Sequence, residues 1–189
     1  GGAQYTKEDI DRALLSEKPF ETVRSRDFLG HGTAVAGIAA GGVSGEASGV
    51  APKSPLIIVK IGSRGEGSFA KTTELMRALK YVIGKARELN MPVAINMSFG
   101  MNNGSHRGDS LFETYISQVS MEWKVSISVP TGNEGAAGHH YAGQIQSFKT
   151  REVEFFTASG IEEFYISMWK NFWTALPWSL FFRVVPHRG

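Results

Sequence analysis

Apolar positions along this chain follow a helical rhythm, then a strand rhythm, in alternation. Residues 5–18 are polar, with Ile10, Leu14 and Leu15 at helical spacing, which predicts a short surface helix. The run His31-Gly32-Thr33-Ala34-Val35-Ala36-Gly37-Ile38-Ala39-Ala40-Gly41 is made almost wholly of small residues. It predicts a helix that packs very close to its neighbours, with His31 at the N-terminus. A glycine-rich loop, Gly41 to Gly49, follows. Leu56 to Ile61 is a continuous β-rich apolar run, as expected of a strand buried on both faces. Between Ser68 and Leu89 the apolar residues Leu75, Met76, Leu79, Val82, Ile83, Ala86 and Leu89 recur in steps of three and four, an amphipathic helix. Pro92 to Ser98 predicts a second strand and Gly104 to Gly108 a turn. Leu111, Phe112, Tyr115, Ile116 and Val119 mark another amphipathic helix, and Val125 to Val129 a third strand. Strand, helix, strand, helix, strand implies right-handed crossovers and a parallel sheet, an α/β architecture.

The rhythm changes near Gln144. Phe148, Val153 to Phe156, Phe164 to Trp169 and Leu180 to Val185 form short aromatic and β-branched runs, which read as antiparallel strands. The expected organisation is therefore a partial α/β domain over 1–143 and the start of an all-β unit over 144–189. Left uncovered, Trp169, Phe172, Trp173, Trp178, Phe181 and Phe182 would form an association surface.

Composition narrows the classes. At 189 residues the chain holds one ordinary domain or slightly more, and a hydrophobic content of 42% supports a real core. With 20 basic and 18 acidic residues the net charge is only +2, and no basic block points to nucleic acid. The absence of cysteine removes disulfides, zinc thiolates and cysteine nucleophiles from these residues. The most apolar stretch, Phe164 to Val185, is broken by Lys170, Asn171, Pro177 and Arg183, so no membrane span is expected.

The first candidate for chemistry is His31. A helix N-terminus carries partial positive charge, which disfavours imidazolium and favours the uncharged ring that a general base needs. The plainer alternative is a buried histidine capping an Ala/Gly helix. The adjacent His139-His140 is read as a surface loop, because neighbouring ligands rarely converge on one metal ion. His106 is read as a turn residue. Gly62-Ser63-Arg64-Gly65-Glu66-Gly67 lies where a phosphate loop would, but its spacing matches neither nucleotide-binding fingerprint. A nucleotide-binding α/β domain would need such a loop.

Several segments, in order, carry a family resemblance. His31 to Gly41 resembles the histidine motif of the subtilases, the subtilisin-like serine proteases (peptidase family S8). Gly49-Val50-Ala51-Pro52 with Leu56-Ile57-Ile58-Val59-Lys60 resembles the segment after the subtilase histidine helix. Asn96-Met97-Ser98-Phe99-Gly100 is similar to the strand lining the substrate cleft, and Thr131-Gly132-Asn133-Glu134-Gly135 to the loop carrying the oxyanion asparagine. Tyr5-Thr6-Lys7-Glu8-Asp9-Ile10 and the aromatic C-terminal stretch look most like the subtilases of spore-forming bacteria that act in germination.

The resemblance implies a subtilisin-like three-layer α/β/α fold, present in part, followed by the start of a jelly-roll-like unit. It implies a serine endopeptidase acting through an acyl-enzyme on protein or peptide substrates, without a cofactor. His31 takes the role of general base and Asn133 that of oxyanion donor. The competing reading of Asn133 is a plain Gly-Asn turn. Ser98, Phe99, Gly100 and Gly132 are the expected substrate contacts, with backbones that pair with an extended peptide, and residues near Ser63 are weaker candidates. Ordinary loop glycines are the alternative there. Phe99 and Met101 would shape the pocket beside the cut bond. Asp27 sits where the family pattern has a structural aspartate, not the triad member. Ser159 lies among predicted strands, not at the start of an Ala-rich helix. No Asp-x-Gly-ended strand precedes His31 and no Gly-Thr-Ser occurs, so the triad aspartate and serine are expected outside these residues, and this piece alone is expected to be inactive. Calcium sites are compatible with the family, yet no run of oxygen ligands marks one. A propeptide or a second copy on the C-terminal strands is an expected partner, and a spore-associated or secreted location follows from the likeness. A pseudoprotease that keeps the fold as a binding scaffold is the alternative function.

Overall fold

The computed structural model describes residues 2–42, 47–61, 71–98, 100, 103–144, 146, 149–157, 160–161 and 163–170. They fall into two compact units, Gly1–Ser98 with Val119–Ser128, and Phe99–Gln118 with Val129–Gly189.

The first unit begins with α1 (Lys7–Leu14) and α2 (Pro19–Thr22). A reciprocal box starts α1: the Asp9 N–H donates to Thr6 Oγ1 at 3.3 Å, and the Thr6 N–H donates to the Asp9 carboxylate at 2.9 Å. Proline at the head of α2 gives up no helical hydrogen bond there. The two helices pack together. The Arg24 N–H donates to the Tyr5 hydroxyl at 3.2 Å, and the Arg26 guanidinium lies 3.9 Å from the Phe20 ring centroid. These contacts tie the segment leading to α3 (His31–Ala40) back onto the start of the chain.

The core is built largely on α4 (Thr72–Glu88), which buries Leu75, Leu79, Val82, Ile83 and Ala86 along one stripe. The helix is shorter than the expected Ser68–Leu89, and residues 68–70 lie outside the described residues. The Glu74 carboxylate accepts the Lys71 N–H at 3.1 Å at its start. Its end is a left-handed cap on Asn90 (φ 51°), with the Asn90 N–H on Arg87 O and the Met91 N–H on Ala86 O, both at 3.0 Å. The chain then enters β1 (Ala94–Asn96), and returns through α5 (Leu111–Trp123) to β2 (Ser126–Ser128). Ser110 and Glu113 form a second capping box at the head of α5. The strands pair in parallel, Ala94 with Ser126, Ile95 with Ile127 and Asn96 with Ser128. All buried apolar residues among those described, which also include Ala13, Met97, Val119 and Val125, belong to this unit.

Two expectations need correction. Leu56–Ile61 joins no sheet among the described residues, and Leu56 and Ile58 are 54% and 68% exposed rather than buried on both faces. Apolar composition selects strand-like backbone, but a ladder forms only where a neighbour exchanges hydrogen bonds. No residue of α3 is buried, and Ile38 stays exposed, so the small-residue helix is not packed along its length. The antiparallel strands expected beyond Gln144 are not formed among the described residues there. Phe156 and Tyr165 are exposed, and Phe155 meets Phe164 with ring centroids 5.6 Å apart. Phe148 and the runs from residue 171 onward lie outside the described residues. In the same way, no described helix is long and apolar enough to cross a membrane.

Candidate active site

His31 is the first residue of α3, and its side chain is exposed. The chain turns into the helix through Gly30, whose φ of 76° is a left-handed conformation that a side chain would strain. Glycine at the cap position offers no oxygen to the free amides of the first turn. Asp27 supplies it instead. One carboxylate oxygen accepts the Leu29 and Gly30 N–H groups at 3.1 and 2.9 Å. The other accepts the Thr33 N–H at 2.9 Å and the Thr33 hydroxyl at 2.7 Å. These bonds, the Thr33 hydroxyl foremost, lower the Asp27 carboxyl from its ordinary 3.8 to about 2. An anion here also complements the helix dipole. Asp27 thus holds the turn that presents His31, a structural role.

The other end of α3 is closed from a distance in sequence. The Val50 N–H donates to Ile38 O at 3.0 Å, the Ala51 N–H to Ala39 O at 2.9 Å, and the Gly49 N–H to Gly41 O at 2.9 Å. These carbonyls would otherwise be unpaired at a helix terminus. The approach is close enough that a Cβ on Gly49 would stand 2.4 Å from the Gly41 nitrogen. This motif and its position after the histidine helix were legible in the sequence; its function as a cap was not. Lys60, in the following apolar run, donates to Arg26 O and lies 5.3 Å from the Phe28 ring centroid. The segment before Asp27 is therefore held as well.

Within the same unit, the parallel register brings the carboxyl ends of β1 and β2 to one edge, where the Met97 N–H donates to Ser128 O at 3.0 Å. Ser98 follows directly, its hydroxyl accepting from the Asn96 amide at 2.7 Å. Phe99, Met101, Gly62–Gly67 with Ser63, and Ser159 lie outside the described residues.

Gly100, Gly132 and Asn133 belong to the second unit and are exposed. Gly132 has φ 94°, so the chain reverses just before Asn133. A turn follows, with the Ala137 N–H on Glu134 O at 2.9 Å, and Gly138 again takes positive φ, 68°. Three contacts missed by the sequence reading surround this loop. His139 Nδ1 lies 3.3 Å from Glu134 Oε2, the His140 ring stacks on His106 with centroids 4.8 Å apart, and Arg151 Nε donates to the Tyr141 hydroxyl at 2.8 Å. No group of three or more acidic or histidine side chains among the described residues has the arrangement to hold a metal ion.

The first unit thus presents a capped, exposed histidine at a helix start and a serine just past the end of β1; the second presents an asparagine on a turn between Gly132 and Gly135. Comparison with known proteins identifies the family. The profile of the subtilase family (Peptidase S8) matches residues 4–158. The chain is 32% identical over 111 residues to tripeptidyl-peptidase 2 of Drosophila melanogaster, a match that covers 57% of this chain and 7% of that protein. Among solved structures it is similar to the CspB protease of Clostridium perfringens, with a TM-score of 0.72 and 43% identity over 77% of this chain and 32% of that one. The chain therefore spans a minor part of the length of either relative, and carries a subtilisin-like α/β fold with a short parallel sheet. It belongs to the subtilase family.

Proposed function

We propose that this chain is part of a serine endopeptidase, in which His31 is the general base and Asn133 the oxyanion donor. The observation that carries the reading is the presentation of His31: exposed, first in α3, and held there by the Asp27 carboxylate within a subtilase-family chain. In the whole protein a serine from another segment is the nucleophile, and an aspartate from another segment orients the ring. His31 takes the proton from the serine oxygen as that oxygen attacks the scissile carbonyl. The negative charge that develops on the carbonyl oxygen is met by the Asn133 side-chain N–H. His31 then gives the proton to the leaving amine, and water, activated by the same ring, hydrolyses the acyl-enzyme. Ser98, Phe99, Gly100 and Gly132 contact the substrate, whose extended backbone adds beside the edge at which β1 ends.

The test is labelling of the full-length protein with a fluorophosphonate, together with peptide hydrolysis. The wild type should label and turn over, and His31→Ala should abolish both. A wild-type protein that binds peptides but neither labels nor hydrolyses them is a scaffold, and the catalytic reading fails. The 189 residues alone should show no hydrolysis.

The likeness of Tyr5–Ile10 to germination-type subtilases supports a role in spores, and spores carrying His31→Ala should then germinate poorly. Exposed Phe156, Tyr165 and Trp169 support pairing of two copies through this region, which sedimentation of the isolated chain would reveal as a dimer.

A further inference from the structure

We infer that the consecutive residues His139, His140 and Tyr141 form a latch of positioning residues that holds the Asn133 loop in its working shape. The inference rests on the proposed role of Asn133.

Each of the three side chains takes a different partner within the second unit. His139 reaches back to Glu134, the residue after Asn133, at 3.3 Å. His140 stacks on His106 with an interplanar angle of 22° and a centroid separation of 4.8 Å, which joins the loop to the turn before α5. Tyr141 accepts from Arg151 at 2.8 Å, which joins it to the chain downstream. The Tyr141 ring folds over Gly143, where a Cβ would lie 2.6 Å from the hydroxyl, so the glycine makes room for this arrangement.

Burial does not restrain this loop, so its polar and ring contacts matter to its shape. Gly132 and Gly138 both adopt positive φ, Gly135 lies between them, and no residue from 131 to 144 is buried. Glycine carries the largest backbone entropy of any residue, and apolar burial offsets none of it here. The direction of the Asn133 amide is then set by the turn Glu134–Ala137 and by the contacts that pin the end of that turn. An oxyanion donor acts only at the correct distance, so small displacements of the loop reach the rate.

The links are solvent-exposed, and each alone shifts the loop population modestly. In the full-length enzyme, His139→Ala should lower kcat about threefold, and His139→Ala with Tyr141→Phe about tenfold, with KM within about twofold of wild type, because the interaction lost is one made in the transition state. His139→Gln, which keeps an N–H donor for Glu134, should recover at least half of the loss. Amide exchange supplies a readout independent of activity: the double variant should speed exchange at Ala137 at least threefold and leave α4 unchanged. Unchanged exchange at Ala137 overturns the latch whatever the activity. Faster exchange at Ala137 with kcat unaffected also overturns it, because the loop's shape would then be irrelevant to the rate. If His31→Ala in the same series keeps full hydrolysis, it is the proteolytic reading that fails, while the exchange data still decide the latch.

Discussion

Replacing Leu79 by alanine tests the core on which the first unit rests. Leu79 is 3% exposed, in the middle of the buried stripe of α4. The change removes three side-chain carbons, and at about 0.8 kcal/mol for each buried methylene the transfer contribution is roughly 2.4 kcal/mol. The cavity left behind adds to this, but Val82 and Ile83 one turn away keep 8% and 5% exposure, so the site lies near the surface of the core and collapses in part. The expected loss is therefore about 2.5–3.5 kcal/mol, in the lower half of the usual range for such truncations. Urea unfolding followed by far-ultraviolet circular dichroism measures it. With a slope of about 1–3 kcal/mol/M, the midpoint should fall by roughly 1–3.5 M at unchanged slope. Lys80→Ala, on the exposed side of the same helix, is the control and should leave the midpoint in place. A fall for Leu79→Ala no larger than that for Lys80→Ala would refute the assignment of the core to this stripe.

Further outcomes follow from the site. The Asp27 carboxyl lies lower in the folded chain, at about 2, than its ordinary 3.8, so the stability it contributes is complete above the higher value and is lost as pH falls through the lower one. Asp27→Asn should remove that part of the pH dependence, and equal slopes for wild type and variant over this window in acid titration by circular dichroism would rule the cap out. Gly49→Ala drives a Cβ into the backbone of Ala40 and Gly41 and should destabilise by about 1–3 kcal/mol, whereas a neutral effect on the urea midpoint would mean that the closure of α3 is loose. Asn133→Ala in the full-length protein should lower kcat by about 10²–10³, a figure known from subtilisin itself rather than worked from this geometry; an unchanged kcat would return Asn133 to a plain turn residue.

For α4, the chain's own periodicity determined where the helix lies and which way it faces. Leu75, Leu79, Val82, Ile83 and Ala86 recur at helical spacing, and the same five residues are buried. The alternation of helix and strand also implied the parallel pairing of β1 with β2. The small-residue run was read as a helix headed by His31, in which alanine favours the helix although glycine does not and no apolar stripe exists. Tertiary structure decided what periodicity does not encode, namely which distant groups exchange hydrogen bonds. Asp27 as the cap of α3, and Val50 and Ala51 as the donors to its last carbonyls, depend on where the backbone returns. Leu56–Ile61 shows the converse: its composition suits a strand, yet without a partner among the described residues it joins no sheet. A pattern of apolar positions records which face of an element avoids water, a property each residue carries with it. A hydrogen-bonding partner is a property of two places in space, and only the folded chain brings them together.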